Sequence, residues 1–393
     1  MPDTFSVTSS QSWFSRIFES IKSVLFGFIL FVVAFPLLFW NESRAVRTAR
    51  SLTEGLGAVV SVPSDAVNSA NQGKLVHVSG AVDSGEPIAD DLGVQAKAVK
   101  LIRKVEMFQW KEHEKSETRK KLGGGTETTK TYTYTKEWAA EPIDSARFQH
   151  AEGHENPGGF PFESTTVIAD PVKVGAFTMS KEQIDKLTDA GDLRLGAEAA
   201  DNLPEDAKDK LKVADGRFYM GENPSTPVLG DVRISYSTVN PVAASLVGVQ
   251  TGESFSPYQA QAGDSILLVE DGNHSAAEMF KTAQDQNAVL TWILRAVGFF
   301  VMFLGIFMVF RPIAVVADVL PFFGSMLGAG VGIFAFLLAA VLSFVTIAVA
   351  WIFVRPLLGI TLLVLAGGAL FWLIKKGRAK KAQRVAVGAP AVG

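Results

Sequence analysis

Between Ser23 and Trp40 no charged residue interrupts the chain. A helix needs roughly 17–25 residues to cross the hydrocarbon core of a bilayer, and this run meets that length. No small-x-small cleavage pattern closes it, so it is predicted to be a retained anchor and not a signal peptide. After Ala288 the chain turns apolar again in three pieces. Val289–Phe310 is broken only by Arg295 and ends at Arg311-Pro312. Val331–Val354 and Leu357–Ile374 are joined by Arg355-Pro356, which reads as the turn of a helical hairpin. Four spans are predicted.

The stretch between the first and second spans alternates polar and apolar positions in a different rhythm. Val99–Trp110 is rich in Val, Ile, Phe and Trp, and Thr131–Trp138 sets Tyr132, Tyr134 and Trp138 on one face against Thr131, Thr133 and Thr135 on the other. The charged "KEHEKSETRKKLGGGTETTK" between them predicts a long hairpin with a solvated tip, either an inert arm or a contact arm for a partner. Further strands are expected at Leu75–Val82, Gly230–Val239, Ser245–Gln250 and Ser265–Glu270. Capping boxes at Ser180/Gln183 and Ser275/Glu278 announce helices. After the second box no proline intervenes until Pro312, so one helix is expected from about Ala276 to Phe310, its first turns standing outside the bilayer.

The predicted fold class is therefore a multi-pass α-helical membrane protein of four spans, with a large extracytoplasmic β-rich α+β domain inserted between spans one and two. The expected divisions are an amphipathic cytoplasmic segment at 1–22, spans at 23–40, 289–310, 331–354 and 357–374, the domain at 41–288, an interfacial loop at 311–330 and a basic tail at 375–393. Trp13, Phe14, Ile17, Phe18 and Ile21 recur at helical spacing opposite Arg16, Glu19 and Lys22, so the first segment either lies on headgroups or extends the anchor. Orientation rests on the tail, where Lys375, Lys376, Arg378, Lys380, Lys381 and Arg384 carry no acidic neighbour and mark the cytoplasmic side. Four crossings then return the N-terminus to that side.

Composition adds constraints. Hydrophobic residues make up 48% of the 393 and charged residues 20%, which requires the two classes to be segregated along the chain. A net charge of −3 gives no warrant for a nucleic-acid partner, and the absence of cysteine removes disulfides and thiolate chemistry. Arg44, Arg47 and Arg50 follow the first span at intervals of three; their guanidinium groups either meet lipid phosphates or belong to a solvated helix with an Arg50–Glu54 pair. Trp292 is read as an interfacial anchor, with Arg295 snorkelling outward in preference to pairing inside the bundle, and Arg355 is placed at the interface. Gly324, Gly328 and Gly332 form two overlapping Gly-x-x-x-Gly steps suited to close helix packing, within the bundle or between subunits.

The string "NESRAVRTARSLTEG" after the first span, with "VEMFQWKEHEK" at Val105, "YTYTKEW" at Tyr132, "GHENP" at Gly153, "ENPSTPVLGDVRISYS" at Glu222, "TWILRAVGF" at Thr291 and "WIFVRPL" at Trp351, resembles the LUMA family, also called transmembrane protein forty-three. The resemblance implies four spans, a large extracytoplasmic domain, self-association, organisation of envelope proteins, and residence in the endoplasmic reticulum and inner nuclear membrane of animals. Missing cysteine and Ala- and Gly-rich spans lean instead toward a bacterial inner membrane.

Catalytic patterns do not assemble. "HAEGHE" at His150–Glu155 sets two histidines four apart, but Gly153 and Pro157 argue against the helix that would align them on zinc. "GAGVG" at Gly328 lies in a span and is no nucleotide loop, and "DSGEPIADD" lacks calcium-loop spacing. No cofactor is expected. The expected function is a non-enzymatic, self-associating scaffold that organises membrane or envelope proteins and lipids; an oligomeric channel or transporter is the alternative. The expected partners are membrane lipids, further copies of the chain and other membrane or envelope proteins.

Overall fold

The apolar run Ser23–Trp40 is the middle of a much longer helix. In the computed structural model, which describes residues 4–355 and residue 361, helix α1 runs unbroken through 46 residues, Trp13–Ala58, about 69 Å at 1.5 Å per residue. Pro36 lies within it. Helix α2 covers Ala276–Ala317 and passes through Pro312, seven residues beyond the expected end at Phe310. Helix α3 covers Pro321–Val354, with its proline in the first turn, where no amide hydrogen is needed. These three helices are long and apolar enough to cross a membrane.

The four-span expectation is thereby corrected. The described chain carries three membrane-length helices, and the expected fourth span, Leu357–Ile374, lies outside the described residues except for Thr361. Arg311-Pro312 does not end its helix, and the expected 311–330 loop shrinks to residues 318–320 because Pro321 starts α3. Placing 41–288 outside the cytoplasm rested on four crossings, of which the described residues show three. The β-rich domain is also not confined to an insertion between spans, since strand β1, Thr4–Gln11, precedes α1 and joins its sheet.

The chain divides into two compact units. Among the described residues the first comprises 4–11, 50–120 and 126–285, and the second 12–49, 121–125 and 286 onward. In the first unit β2 is Leu75–Asp83, β3 Lys100–Lys120, β4 Thr126–Ala139, β5 Val232–Val239 and β6 Ala243–Thr251. An eight-stranded sheet runs in the order β1, β4, β3, β5, Arg217–Met220, Lys212–Ala214, with Thr165–Ile168 beside β3 and Ala190–Leu193 beside β5. The β3–β4 hairpin keeps one register from Met107↔Ala139 to Lys120↔Thr126. A second, seven-stranded sheet centres on β2 and β6, paired from Leu75↔Val249 to Ala81↔Ala243.

Alternation along these strands supplies the cores. Val76, Val78, Val174, Phe177 and Leu246 bury together, capped by the helix Lys181–Asp185, whose Ser180/Gln183 capping box forms as its spacing predicts. Leu101, Val105, Met107, Phe218, Val232 and Ile234 make a second cluster. The third joins Leu52 of α1 and Met279 and Phe280 of α2 to Leu75 and Val247, so the domain ends of both helices are built into this unit. Gly55 permits that packing, because a Cβ there would stand 2.7 Å from Ile266 and 2.9 Å from the Phe280 ring.

His77, on β2, is buried beside the Ser61 hydroxyl at 3.1 Å (Nδ1) and the His274 carbonyl at 2.9 Å (Nε2). A carbonyl can only accept, so Nε2 carries the proton and Nδ1 accepts from Ser61. Burial lowers the His77 pKa, against a smaller opposing pull from the His274 carbonyl. The folded chain therefore binds this proton more weakly than the unfolded chain. Its contribution to stability is complete above the unfolded value of about 6.5 and declines as pH falls through the folded value. Between pH 7.5 and 5.5 the melting temperature in detergent is expected to drop, with a shallower slope for His77→Gln; equal slopes for the two chains would contradict this reading.

Candidate functional site in the membrane helices

The second unit holds its helices together around a carboxylate. Glu42 closes the apolar run of α1 and its side chain is 2% exposed. Arg295 of α2 grips it with both edges of the guanidinium, Nε to Oε1 at 2.6 Å and Nη2 to Oε2 at 2.8 Å. Trp351 of α3 donates its indole N–H to Oε2 at 2.7 Å. One side chain from each of the three helices meets here. The Arg295 guanidinium also lies 4.7 Å from the Trp292 ring centre and 5.8 Å from that of Trp351. Two indole faces thus stand near the cation, a favourable quadrupole setting.

Further polar groups, including a second cation, Arg44, lie beside the pair. Asn41 donates to the Thr291 carbonyl at 3.1 Å, and Arg44 donates to Asn287 Oδ1 and Thr291 Oγ1, both at 3.0 Å. Asn287 returns a bond to the Ala45 carbonyl at 3.0 Å. Separating a carboxylate from water is costly unless charge and hydrogen bonds replace the lost hydration; here a bidentate guanidinium and an indole do so. Removing one partner of such a buried pair typically costs about 3–5 kcal/mol. An ion already held by three donors is poorly disposed to act as a general base, so the arrangement serves to join helices.

A second polar cluster occupies the other end of these helices. Arg16 pairs with Asp318 at 2.5 Å and also donates to the Gly124 carbonyl. Trp13 donates its indole N–H to the Val315 carbonyl at 3.0 Å, and the Gly123 amide donates to Val319 O at 3.2 Å. Within this unit, residues 121–125, expected to form a solvated tip, are only partly so: Leu122 is exposed but Gly124 is buried, and a Cβ on it would collide with the Trp13 indole.

The expected site residues separate under this geometry. Arg44 turns inward to Asn287 and Thr291, while Arg47 and Arg50 are exposed on α1. Trp292 is 67% exposed, and Arg295 pairs with Glu42, which corrects the expected snorkelling. Arg355 caps α3, its amide donating to Trp351 O at 2.7 Å. The glycines exchange roles. Gly324 packs on Asp318, but a Cβ on Gly328 or Gly332 would make only ordinary contacts, at 3.8 and 3.9 Å. The close approach lies between α1 and α2, where a Cβ on Gly27 would stand 2.7 Å from Met308, one on Gly298 2.5 Å from Leu38, and one on Gly305 2.6 Å from the Phe31 amide nitrogen. Around it Ala34, Leu38, Met302, Ile306, Ala335 and Ala339 are buried.

Sequence reading passed over Glu42, Trp351 and Gly305. A signal existed, because an arginine inside a span calls for a carboxylate and Glu42 is the acid that closes an apolar run. In the β-rich unit the two histidines of "HAEGHE" serve packing: His154 is buried with its ring stacked 4.0 Å from Tyr134 and edge-on to Trp110, and His150 stacks on Phe5. Burial and the neighbouring Glu112 push the Tyr134 phenol up to about 12, so it stays a donor. Among the described residues no group of three or more His, Asp or Glu side chains is placed to hold a metal ion.

Three membrane-length helices joined through buried polar contacts, in one chain with a large β-rich domain, define an integral membrane protein. Comparison with known proteins makes this more specific. Residues 107–356 match the family model described as Transmembrane protein 43. The mouse (Mus musculus) Transmembrane protein 43 is 37% identical over 354 residues, which cover 87% of each chain. Its human (Homo sapiens) counterpart is 36% identical over 376 residues, covering 92% of each. A Drosophila melanogaster homolog is 32% identical over 379 residues, covering 91% of this chain and 96% of its own. No solved structure matches. The chain belongs to the transmembrane protein 43 family.

The glycine contacts lead to a contrast between two helices. Gly305→Ala is expected to destabilise the protein in detergent by about 1–3 kcal/mol, because the added methyl meets backbone. Gly328→Ala is expected to be neutral or mildly stabilising, because the added methyl meets only Ala314 at ordinary contact distance. Thermal unfolding of the two variants checks this, and equal melting temperatures would show that the α1–α2 approach is not tight.

Proposed function

We propose that this protein is a non-enzymatic membrane scaffold that associates with itself and organises neighbouring membrane or envelope proteins and lipids. The observation that carries the reading is the condition of the buried charged groups in the β-rich unit. Asp90 accepts from Arg103 at 2.8 Å and from the Tyr236 phenol at 2.6 Å; burial, and then this carboxylate, raise the Tyr236 pKa. Asp231 accepts from Tyr219 at 2.5 Å and from the Val228 amide at 2.9 Å. Glu106 accepts from Arg233 at 2.7 Å and Lys104 at 3.0 Å; burial works upward on its pKa, but these cations together hold it below the ordinary carboxylate value. Groups of this kind become catalytic when their pKa values are poised near neutrality in an open cleft. Here they are engaged as struts.

Lipid contact has support in the membrane unit. A groove of about 680 Å3 between α1 and α3, lined chiefly by Phe35, Pro36, Phe39, Trp40, Val345 and Val349, offers an almost wholly apolar bed for an acyl chain. The compared relatives are animal proteins, which gives the bacterial expectation no support and is compatible with the endoplasmic reticulum and inner nuclear membrane. Light scattering of the detergent-solubilised protein, paired with an ion-flux assay in liposomes, tests the proposal. A defined oligomer without flux is expected. A monomer at every concentration would overturn self-association, and steady flux would favour the channel alternative.

A further inference from the structure

Strand β1 is the outermost strand of the eight-stranded sheet, hydrogen-bonded to β4 on one side from Thr4↔Thr133 to Gln11↔Thr126. Its residues are exposed from Thr4 to Ser10. The sequence Thr-Phe-Ser-Val-Thr-Ser-Ser-Gln carries no charge and no proline. An edge of this kind presents a row of backbone donors and acceptors, and proteins usually blunt such rows with lysine, proline or a bulge. The same sheet shows the contrast on β3, where the ten residues Lys111–Lys120 include eight of Lys, Arg, Glu or His. Among the described residues one edge is guarded and the other is bare.

We propose that β1 is a self-association strand, pairing antiparallel with β1 of a second copy across a twofold axis at Ser6. This rests on the self-association reading above and gives it a surface. Directly opposed residues in an antiparallel pair share a face of the sheet, so the pairing must place odd-numbered residues opposite odd-numbered ones. Centring on Ser6 sets Phe5 against Val7 of the second copy, and Val7 against its Phe5. Each is 37% exposed in the single chain, and aromatic with β-branched is a favourable cross-strand combination. Thr4 then faces Thr8, and Ser6 faces Ser6. On the inner side the hydroxyl ladder already exists, with Ser6 donating to Thr131 at 3.2 Å and Thr8 beside Thr129 at 3.3 Å. The pairing repeats that chemistry outward. With no charge on β1, the two copies meet without like-charge repulsion, and the occupant the strand fits is its own twin.

The chain contains no cysteine, so a single substitution reports the contact. In membranes under mild oxidation, full-length Ser6→Cys is expected to form a disulfide-linked dimer, while Glu253→Cys, on an exposed turn of the other sheet, stays monomeric on the gel. Adding Thr4→Glu and Thr8→Glu to the Ser6→Cys chain should cut the linked fraction on the order of tenfold, since both cross-pairs become like-charged. Co-expression with a Ser6→Cys chain carrying Thr4→Lys and Thr8→Lys should restore it, which also shows that the charged chains fold. An oligomer by mass in which Ser6→Cys does not link, or links regardless of charge, overturns the β1 pairing while self-association stands. A monomer by mass overturns both.

Discussion

Inside the hydrocarbon region an ionised side chain has few tolerable surroundings, and the membrane unit is organised by that constraint. Arg295 interrupts an otherwise apolar segment, and the carboxylate able to neutralise it comes from α1. Because the guanidinium binds both oxygens of Glu42, the two helices are fixed in rotation and in axial position, not merely drawn together. The Trp351 indole adds α3 through the same carboxylate. Apolar contacts alone would permit several registers, since lipid tails compete equally well for greasy helix surfaces.

Glycine placement follows from that fixed register. Gly27 and Gly305 bring the α1 and α2 backbones together, and Gly298 admits Leu38. Near the opposite end Arg16 and Asp318 form a second ion pair, with the Gly124 carbonyl accepting from Arg16 and the Gly123 amide donating to Val319 O. Each end of the bundle thus has a charged clamp, with a dry layer of Ala34, Leu38, Met302, Ile306, Ala335 and Ala339 between them. Three of the stretches that carried the family resemblance, around Glu42, around Arg295 and around Trp351, are the ones that converge on the first clamp. They are far apart in sequence and say nothing singly about chemistry, but their meeting point gives them a common purpose.

The long apolar runs and the strongly alternating strands were legible because burial imposes its own period on a sequence. The strands at Leu75, Val99, Thr131 and Gly230 all stand close to where alternation put them. Proline misled at two places. Pro312 was read as a stop, yet a helix packed among others tolerates the missing amide, and Pro321 was counted toward a loop although the first turn of a helix suits it. Strand β1 was invisible because neither of its faces is buried and its partner lies more than a hundred residues away. Arg295 was assigned to snorkelling because a sequence lists the cation and the acid 253 positions apart without showing that they meet. Gly324, Gly328 and Gly332 attracted attention by spacing, whereas the glycines at the close approach are divided between two helices and form no motif in either.

The claim beneath this account is that Glu42 and Arg295 stabilise the bundle as a pair. Thermal unfolding of Glu42→Gln, Arg295→Met and the double variant, in one detergent, measures their coupling directly. If the pair is the organising contact, each single change strands a buried partner and lowers the melting temperature strongly, and the double variant melts above the Glu42→Gln chain. Losses that simply add in the double variant would contradict the account, because they would mean that the two residues act independently.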